Sequence, residues 1–370
     1  MTKAELGTQI PFGDLALHQV ESVEKLDPNL RTIILFSGQA RKLEDVRQQG
    51  TKLINHDIGS KVFKEADEVL NGHFPQRFKE GISRIILTGS DNDLKENLQL
   101  IILLNDLACT RVFEQAGCPN SISNLNIVGT AGQSLGEVSA YRFGKALDDE
   151  NLILLGVGRH DAMRDAPGTL AGFYAGDSDE RIKKIKKDYG LETSIRTSSG
   201  FVVLGGEIKA IDEAIKQAAE QQLKAVSLNT DGAFHTSKMR EAAERYAEVW
   251  KKIQIKDALM DIYLNITAKK TRKSNMLIKA QIVQLTHCVA WEDSMDSMLK
   301  GTQQVVEIGS NGTLTSHIQR DIEKKSGQKR QLIKKILLRG GMAAAAIGVA
   351  LVIAKAASSH RQSHSPSNPA

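Results

Sequence analysis

Apolar residues alternate between two spacings over the first 150 positions of the chain. Two short runs, RTIILFSG at 31–38 and LNIVGTAG at 125–132, are rich in β-branched or small residues, end in glycine and predict buried strands. Helical spacing of apolar residues covers about 58–72, 94–117 and 135–147. Strands that alternate with helices favour an α/β domain whose parallel sheet is covered on both faces.

Shorter elements follow over 168–229, in the order strand, helix, strand, strand, helix, strand. This order is that of a ferredoxin-like (split βαβ) subdomain, which we predict to be inserted in the larger domain. The first pattern then returns, with a helix over 236–253, the strand MDIYLNIT, a helix near 276–285 and the strand QVVEIG. The predicted divisions are an N-terminal extension 1–30, a large α/β domain 31–167 and 230–325, the subdomain 168–229, and a basic and apolar C-terminal extension 326–370.

Composition excludes some classes of function. The formal net charge of the 370 residues is only +5, and aromatic residues make up 5%. From this composition we expect neither a strongly basic surface nor a set of aromatic residues for base stacking, and therefore no nucleic-acid partner. The three cysteines, Cys109, Cys118 and Cys288, are an odd number at unrelated spacings, which favours reduced thiols over a disulfide framework. No metal-ligand spacing joins them to histidines, and we expect no metal site.

The two ends of the sequence differ in character. The first thirty residues mix lysines with several acidic residues and contain no recognisable targeting signal. Near the other end, GGMAAAAIGVALVIA at 340–354 would form a helix of about 22 Å, shorter than the roughly 30 Å hydrocarbon layer unless residues 336–338 extend it. Two interpretations stand: a terminal helix or loose tail, and a C-terminal membrane anchor over 336–354.

Ser134 is the first candidate catalytic residue. It lies between Gly132 and Gly136 in G-x-S-x-G, after a predicted strand and before a predicted helix. Such a turn presents a serine hydroxyl above the sheet, and the helix N-terminus supplies donors for a developing oxyanion. A serine in a glycine-rich turn is the alternative interpretation.

A nucleophilic serine needs a base, and His235 is the best placed of the nine histidines. It lies in DGAFHTSKM, after a predicted strand and before Thr236 and Ser237, which are candidate N-caps. Arg159 falls inside the apolar stripe of the helix NLILLGVGRHDAM, so its guanidinium requires a partner. That partner is either an internal carboxylate or a carboxylate that arrives with the substrate.

Seven motifs in collinear order resemble those of malonyl-CoA:acyl carrier protein transacylases and the related acyltransferase domains of fatty acid and polyketide synthases. The resemblance covers about residues 31–325, and the chain is similar to the organellar branch of the family. The matching segments are, in chain order, 36–40, 132–137, 159–163, 232–235, 265–268, 284–291 and 307–309.

The resemblance implies a hydrolase-like parallel-sheet core with the ferredoxin-like insert. It implies that Ser134 is acylated, that His235 is its base, and that Arg159 binds the free malonyl carboxylate. The amides of Gln39 and Leu135 would form the oxyanion hole, while a main-chain or side-chain oxygen of Gln284 would orient the histidine.

The same resemblance implies the substrates and the compartment. Malonyl-CoA and acyl carrier protein would be the partners, with coenzyme A thioester as substrate, phosphopantetheine supplied by the carrier and no tightly bound cofactor. We expect a monomer in the mitochondrion, with the cytoplasm as the alternative compartment.

The sequence departs from the family at Gln133, where a histidine usually precedes the nucleophile and helps to hold the malonyl group. Glutamine can still form hydrogen bonds but carries no charge. Two other functions stay open: a serine hydrolase or thioesterase, and a non-catalytic relative tethered to a membrane.

Overall fold

The computed structural model describes residues 26–39, 42–115, 124–198, 200–309, 314–315, 317–318 and 352–354. Strands and helices alternate through most of this range. In chain order the elements are β1 (Thr32–Phe36), α1 (Leu43–Ile54), α2 (Gly59–His73), α3 (Ile82–Thr88), α4 (Asp91–Glu96), α5 (Leu98–Gln115), β2 (Ile127–Gly132), α6 (Gly136–Phe143), α7 (Asp149–Met163), β3 (Thr169–Phe173), α8 (Glu180–Tyr189), β4 (Glu192–Ser198), β5 (Phe201–Gly206), α9 (Ile208–Glu220), β6 (Ala225–Ser227), a 3₁₀ turn (Ser237–Met239), α10 (Arg240–Trp250), β7 (Ile262–Tyr263), β8 (Lys270–Thr271), α11 (Ser274–Gln284), α12 (Trp291–Met298), β9 (Gln304–Ile308) and β10 (Val352–Ala354).

The larger sheet has the strand order β10-β9-β1-β2-β7-β8. β9, β1, β2 and β7 are parallel, and β10 and β8 run antiparallel at the two edges. All five residues of β1 are buried because both faces of the sheet are covered. Ile34 and Phe36 pack into the core that contains residues of α1, α5 and α6, whereas Ile33 and Leu35 pack with Trp291 of α12 on the other face.

The smaller sheet is antiparallel, with the strand order β4-β5-β3-β6. Its apolar core includes Ile182 and Ile185 from α8 and Ile211 from α9. It joins the larger domain where Val289 donates its N–H to the Ser194 carbonyl at 2.9 Å. This strand order is that of a ferredoxin-like unit, so the predicted fold class is confirmed.

Several predicted elements have different bounds in the structure. The helix predicted over 94–117 is split at Asn97, whose side-chain amide donates to the Asp93 carbonyl at 2.9 Å and closes α4. The helix predicted over 236–253 begins with the 3₁₀ turn. Thr236 does not cap it, because its hydroxyl donates to the Ala233 carbonyl instead.

The C-terminal apolar segment lies mostly outside the described residues. Its last part, Val352–Ala354, is a strand that pairs antiparallel with β9, so the expectation of a helix is wrong for these three residues. The free edge of β9 offers backbone partners to β-branched residues such as Val352 and Ile353. Within the described part of the chain, no helix has both the length and the apolar character needed to cross a bilayer.

Candidate active site

Ser134 occupies a sharp turn between the end of β2 and the start of α6. Its φ of 54° lies in the left-handed region, which non-glycine residues rarely adopt. The flanking glycines permit this turn: a Cβ on Gly132 would lie 1.9 Å from the Gly136 carbonyl oxygen, and one on Gly136 would lie 2.3 Å from the Phe36 carbonyl oxygen. The G-x-S-x-G pattern is therefore required by backbone packing at this position.

The hydroxyl of Ser134 contacts the imidazole of His235. Ser134 Oγ lies 2.7 Å from His235 Nε2, and His235 Nδ1 lies 2.7 Å from the main-chain carbonyl oxygen of Gln284. Because a carbonyl oxygen only accepts hydrogen bonds, Nδ1 must carry the proton in the neutral ring. Nε2 is then the acceptor of the serine proton, which is the arrangement a general base requires.

His235 is buried, and burial lowers the pKa of its imidazole from 6.5 to about 4. The hydrogen bond to Gln284 opposes this shift, and the positive charge of Arg159 adds to it. The ring is therefore neutral at physiological pH and able to accept a proton.

The end of α11 fixes the position of this histidine. His235 also has a positive φ, 63°, and its own N–H donates to the Leu285 carbonyl at 3.0 Å. Of the two oxygens considered for Gln284, the main-chain one contacts the imidazole. The side chain of Gln284 instead donates through Nε2 to Glu137 Oε2 at 2.6 Å.

Asn265 holds the turn at Ser134 in place through two side-chain hydrogen bonds. Its Oδ1 accepts the N–H of Ser134 at 2.7 Å, and its Nδ2 donates to the Gly132 carbonyl at 2.6 Å. The side chain is fully buried. Asn265 begins the motif segment 265–268, but its role is not evident from the sequence because its partners lie more than 130 positions away.

The start of α6 and the loop after β1 both bring backbone groups close to Ser134. Leu135 is buried at the start of α6, and its N–H has no hydrogen-bond acceptor among the described residues. Gln39 follows Gly38, whose backbone packs against Ser134: a Cβ on Gly38 would lie 3.5 Å from Ser134 Cβ. The loop after β1 and the start of α6 thus meet at the serine.

Arg159 is 1% exposed and projects from α7. Its NH1 donates to Gln99 Oε1 at 2.7 Å, but Nε and NH2 are buried without a partner among the described residues. No described carboxylate forms an ion pair with it, which argues against the internal partner considered from the sequence. Burial lowers the pKa of the guanidinium, and the charges of Tyr246 and Glu137 oppose that shift. The free edge is suited to a carboxylate from outside the chain.

Gln133 directly precedes Ser134 and is 8% exposed. Its main-chain N–H donates to the Phe36 carbonyl at 3.0 Å, while its side-chain Nε2 is buried without a partner in the described part of the chain. A buried donor without a partner beside Ser134 is consistent with a ligand-binding role, because buried polar groups normally form hydrogen bonds.

Over the described ranges, no cluster of three or more histidine, cysteine, aspartate or glutamate side chains could hold a metal ion. Neither Cys109 nor Cys288 forms a disulfide bond among the described residues, and Cys118 lies outside them.

Comparison with known proteins shows which sequences and folds this chain resembles. Residues 107–354 match the acyl transferase domain family. The probable mitochondrial malonyl-CoA-acyl carrier protein transacylase of Drosophila melanogaster is 24% identical over 298 residues, which cover 76% of this chain and 75% of the relative. The malonyl CoA-acyl carrier protein transacylase of Bacillus subtilis is 26% identical over 299 residues, covering 77% and 89%.

A solved structure supports the fold independently. The structure of the malonyl CoA-acyl carrier protein transacylase from Coxiella burnetii superposes with a TM-score of 0.69 at 22% sequence identity, covering 83% of this chain and 93% of that one. At this level of identity the match establishes the arrangement of the two sheets and their helices.

Proposed function

The chain belongs to the acyl transferase domain family, and on that basis we propose that it transfers a malonyl group from malonyl-CoA to the phosphopantetheine thiol of acyl carrier protein, for fatty acid synthesis. The names of its relatives supply both substrates. The observation that carries the proposal is the pairing of Ser134 with a neutral His235 close to Arg159, a buried guanidinium with a free edge.

The proposed reaction begins when Ser134 Oγ attacks the thioester carbonyl carbon and its proton passes to His235 Nε2. The oxyanion of the tetrahedral intermediate accepts hydrogen bonds from the amides of Leu135 and Gln39. When the carbon–sulfur bond breaks, Nε2 returns the proton to the departing thiolate of coenzyme A. The products of this half-reaction are free coenzyme A and malonyl-Ser134.

The second half-reaction reverses these proton transfers. The phosphopantetheine thiol gives its proton to His235 Nε2 and attacks the ester carbonyl. Collapse of the second tetrahedral intermediate breaks the ester bond and returns the proton to Ser134 Oγ. No cofactor is needed, because the carrier protein brings the phosphopantetheine.

Arg159 supplies selectivity for the malonyl group in this proposal. Its unpartnered Nε and NH2 lie along one edge of the guanidinium and match the two oxygens of a carboxylate. Gln99 holds the third nitrogen and is itself held by Met163 through a contact of 3.6 Å to Sδ. Gln133 supplies a further donor through its free Nε2.

The hydrolase alternative is less well supported by the geometry. A serine hydrolase triad requires a carboxylate at Nδ1 of the histidine, and in this chain Nδ1 donates to the Gln284 carbonyl. The complete serine and histidine pair likewise gives no support to the non-catalytic alternative.

The helix α8 carries the basic run RIKKIKK over 181–187, whose positive charges would suit an acidic carrier protein. Four of its cations have acidic partners on the surface, so the run carries little unneutralised charge. We therefore do not propose α8 as the surface that docks the carrier protein.

We propose a mitochondrial location from the named relative in Drosophila melanogaster, and a monomer as the functional unit.

The test is covalent labelling of Ser134. Mixing the protein with malonyl-CoA and measuring the intact mass is expected to show one added malonyl group, and Ser134→Ala is expected to show none. Adding phosphopantetheinylated acyl carrier protein should remove the label and transfer it to the carrier.

Ser139→Ala is the matched control, because Ser139 is the next serine along the chain and its hydroxyl is bonded to Asp106 Oδ2 at 2.7 Å. It should keep the label. Labelling that persists in Ser134→Ala would refute the assignment. Loss of the label to water at the same rate with and without carrier protein would instead identify a hydrolase.

A further inference from the structure

A buried carboxyl group contacts the two residues that hold the serine and histidine pair. Glu137, in the first turn of α6, is 0% exposed. Its Oε1 accepts the hydroxyl of Tyr141 at 2.7 Å. Its Oε2 accepts Nε2 of Gln284 at 2.6 Å and the main-chain N–H of Asn265 at 3.3 Å.

The two donors to Oε2 belong to the two parts of the site. Gln284 carries the carbonyl that binds His235 Nδ1, and Asn265 carries the amide that binds the Ser134 N–H. Ser134 and His235 are 101 positions apart in the sequence. A single oxygen atom of Glu137 therefore contacts both residues that hold the reacting pair in place.

The hydrogen-bond partners of Glu137 can accommodate its carboxyl group in either protonation state. Burial raises the pKa of Glu137 to about 7, against the opposing hydrogen bonds from Tyr141, Asn265 and the glutamines of α11. Tyr141 also reaches the Leu277 carbonyl at 3.1 Å, so its hydroxyl can turn to accept a proton from Oε1. Oε2 remains an acceptor in both states.

We propose that Glu137 is a positioning residue for acyl transfer, which holds the serine turn and the histidine in one geometry through the hydrogen bonds that Oε2 accepts. The inference rests on the proposed function. It assigns the role to the acceptor oxygen and not to the negative charge. Removing that oxygen frees Gln284 and Asn265 together, and a misplacement of about 1 Å between reacting groups can cost about 100-fold in rate.

The test compares two substitutions at the same position. Glu137→Ala removes the acceptor, and we expect kcat for malonyl transfer to fall about 100-fold while KM for malonyl-CoA changes little, because Arg159 is untouched. Glu137→Gln keeps an acceptor for Gln284 and Asn265 and places its NH2 against Tyr141. We expect it to recover most of kcat, to within about threefold of the original.

Tyr141→Phe is the matched control, since it removes a buried hydrogen bond to the other oxygen of the same carboxyl. It is expected to lower the melting temperature without lowering kcat. An equal loss of kcat in Tyr141→Phe, or a loss in Glu137→Ala that appears in KM, would overturn the inference. Glu137→Gln as inactive as Glu137→Ala would also overturn it, because charge would then be the requirement.

If Glu137→Ala does not fold, Gln284→Met tests the same link. It removes Nε2 but keeps the carbonyl that binds His235, and an unchanged kcat would contradict the proposal. Failure of the proposed function has a different result, since the unsubstituted protein would then form no malonyl-Ser134.

Discussion

Replacing Arg159 with methionine should stabilise the fold and impair the reaction at the same time. The magnitude follows from the hydrogen bonds that the guanidinium lacks. Its two unpartnered nitrogens, Nε and NH2, each cost about 1–3 kcal/mol, and the substitution removes both while leaving only Gln99 Oε1 without its donor. We therefore expect the free energy of unfolding to rise by roughly 1–3 kcal/mol in Arg159→Met.

The catalytic effect should have the opposite sign. Removing one partner of a buried charge pair costs about 2–5 kcal/mol, so kcat/KM for malonyl-CoA should fall roughly 30-fold to several-thousand-fold. Acetyl-CoA has no carboxylate for Arg159 to bind. Its transfer should be unaffected or faster.

Arg142→Met is the matched control in a urea unfolding series. Arg142 is also buried, at 8% exposure, but its Nε donates to Asp149. Removing this paired arginine should destabilise the protein by about 3 kcal/mol, the lower end of the range for a broken buried pair, because Arg111 still contacts Asp149. If Arg159→Met destabilises the protein as much as Arg142→Met, then Arg159 is structural and the carboxylate assignment fails.

Three further predictions follow from the site and its supports. With the pKa of His235 lowered to about 4, kcat/KM should stay level as the pH falls through 6.5 and decline only near 4; an apparent pKa near 6.5 would contradict this. Gly136→Ala should abolish acylation because its Cβ would lie 2.3 Å from the Phe36 carbonyl oxygen, whereas Gly72→Ala, with open space around it, should be tolerated in the same mass assay. Since Glu137 has its pKa raised from 4.5 to about 7, the folded state holds a proton that the unfolded state has lost, and the protein should lose about 3 kcal/mol of stability as the pH rises between these values; urea unfolding should show no such loss in Glu137→Gln.

The larger elements of the fold were predictable because their signals are local. Residue spacing alone indicates burial in two places: the β-branched run at 31–38 and the apolar stripe of the helix that contains Arg159. The order of short elements over 168–229 fixed the ferredoxin-like class. Ser134 was recognisable for a related reason, since the steric need for two flanking glycines leaves a pattern within five residues.

The supports of the site were not predictable because their signals are not local. Glu137 sits in the first turn of a helix, where a glutamate usually faces solvent and favours the helix dipole. Its burial depends on Asn265 and Gln284, which are 128 and 147 positions away. Arg159 could be placed in the core from its spacing, but the absence of an internal carboxylate partner is a property of the described tertiary structure alone.

The backbone of the site gives a physical reason for this network of supports. Ser134 and His235, which contact each other, both have positive φ values, 54° and 63°. Such conformations cost about 1–3 kcal/mol each and persist only where surrounding structure over-determines them. Each strained residue has its own N–H fixed from a distant segment, Ser134 by Asn265 Oδ1 and His235 by the Leu285 carbonyl. In these two backbone conformations Ser134 Oγ and His235 Nε2 lie 2.7 Å apart before any substrate arrives. The binding energy of the acyl group therefore need not be used to align them.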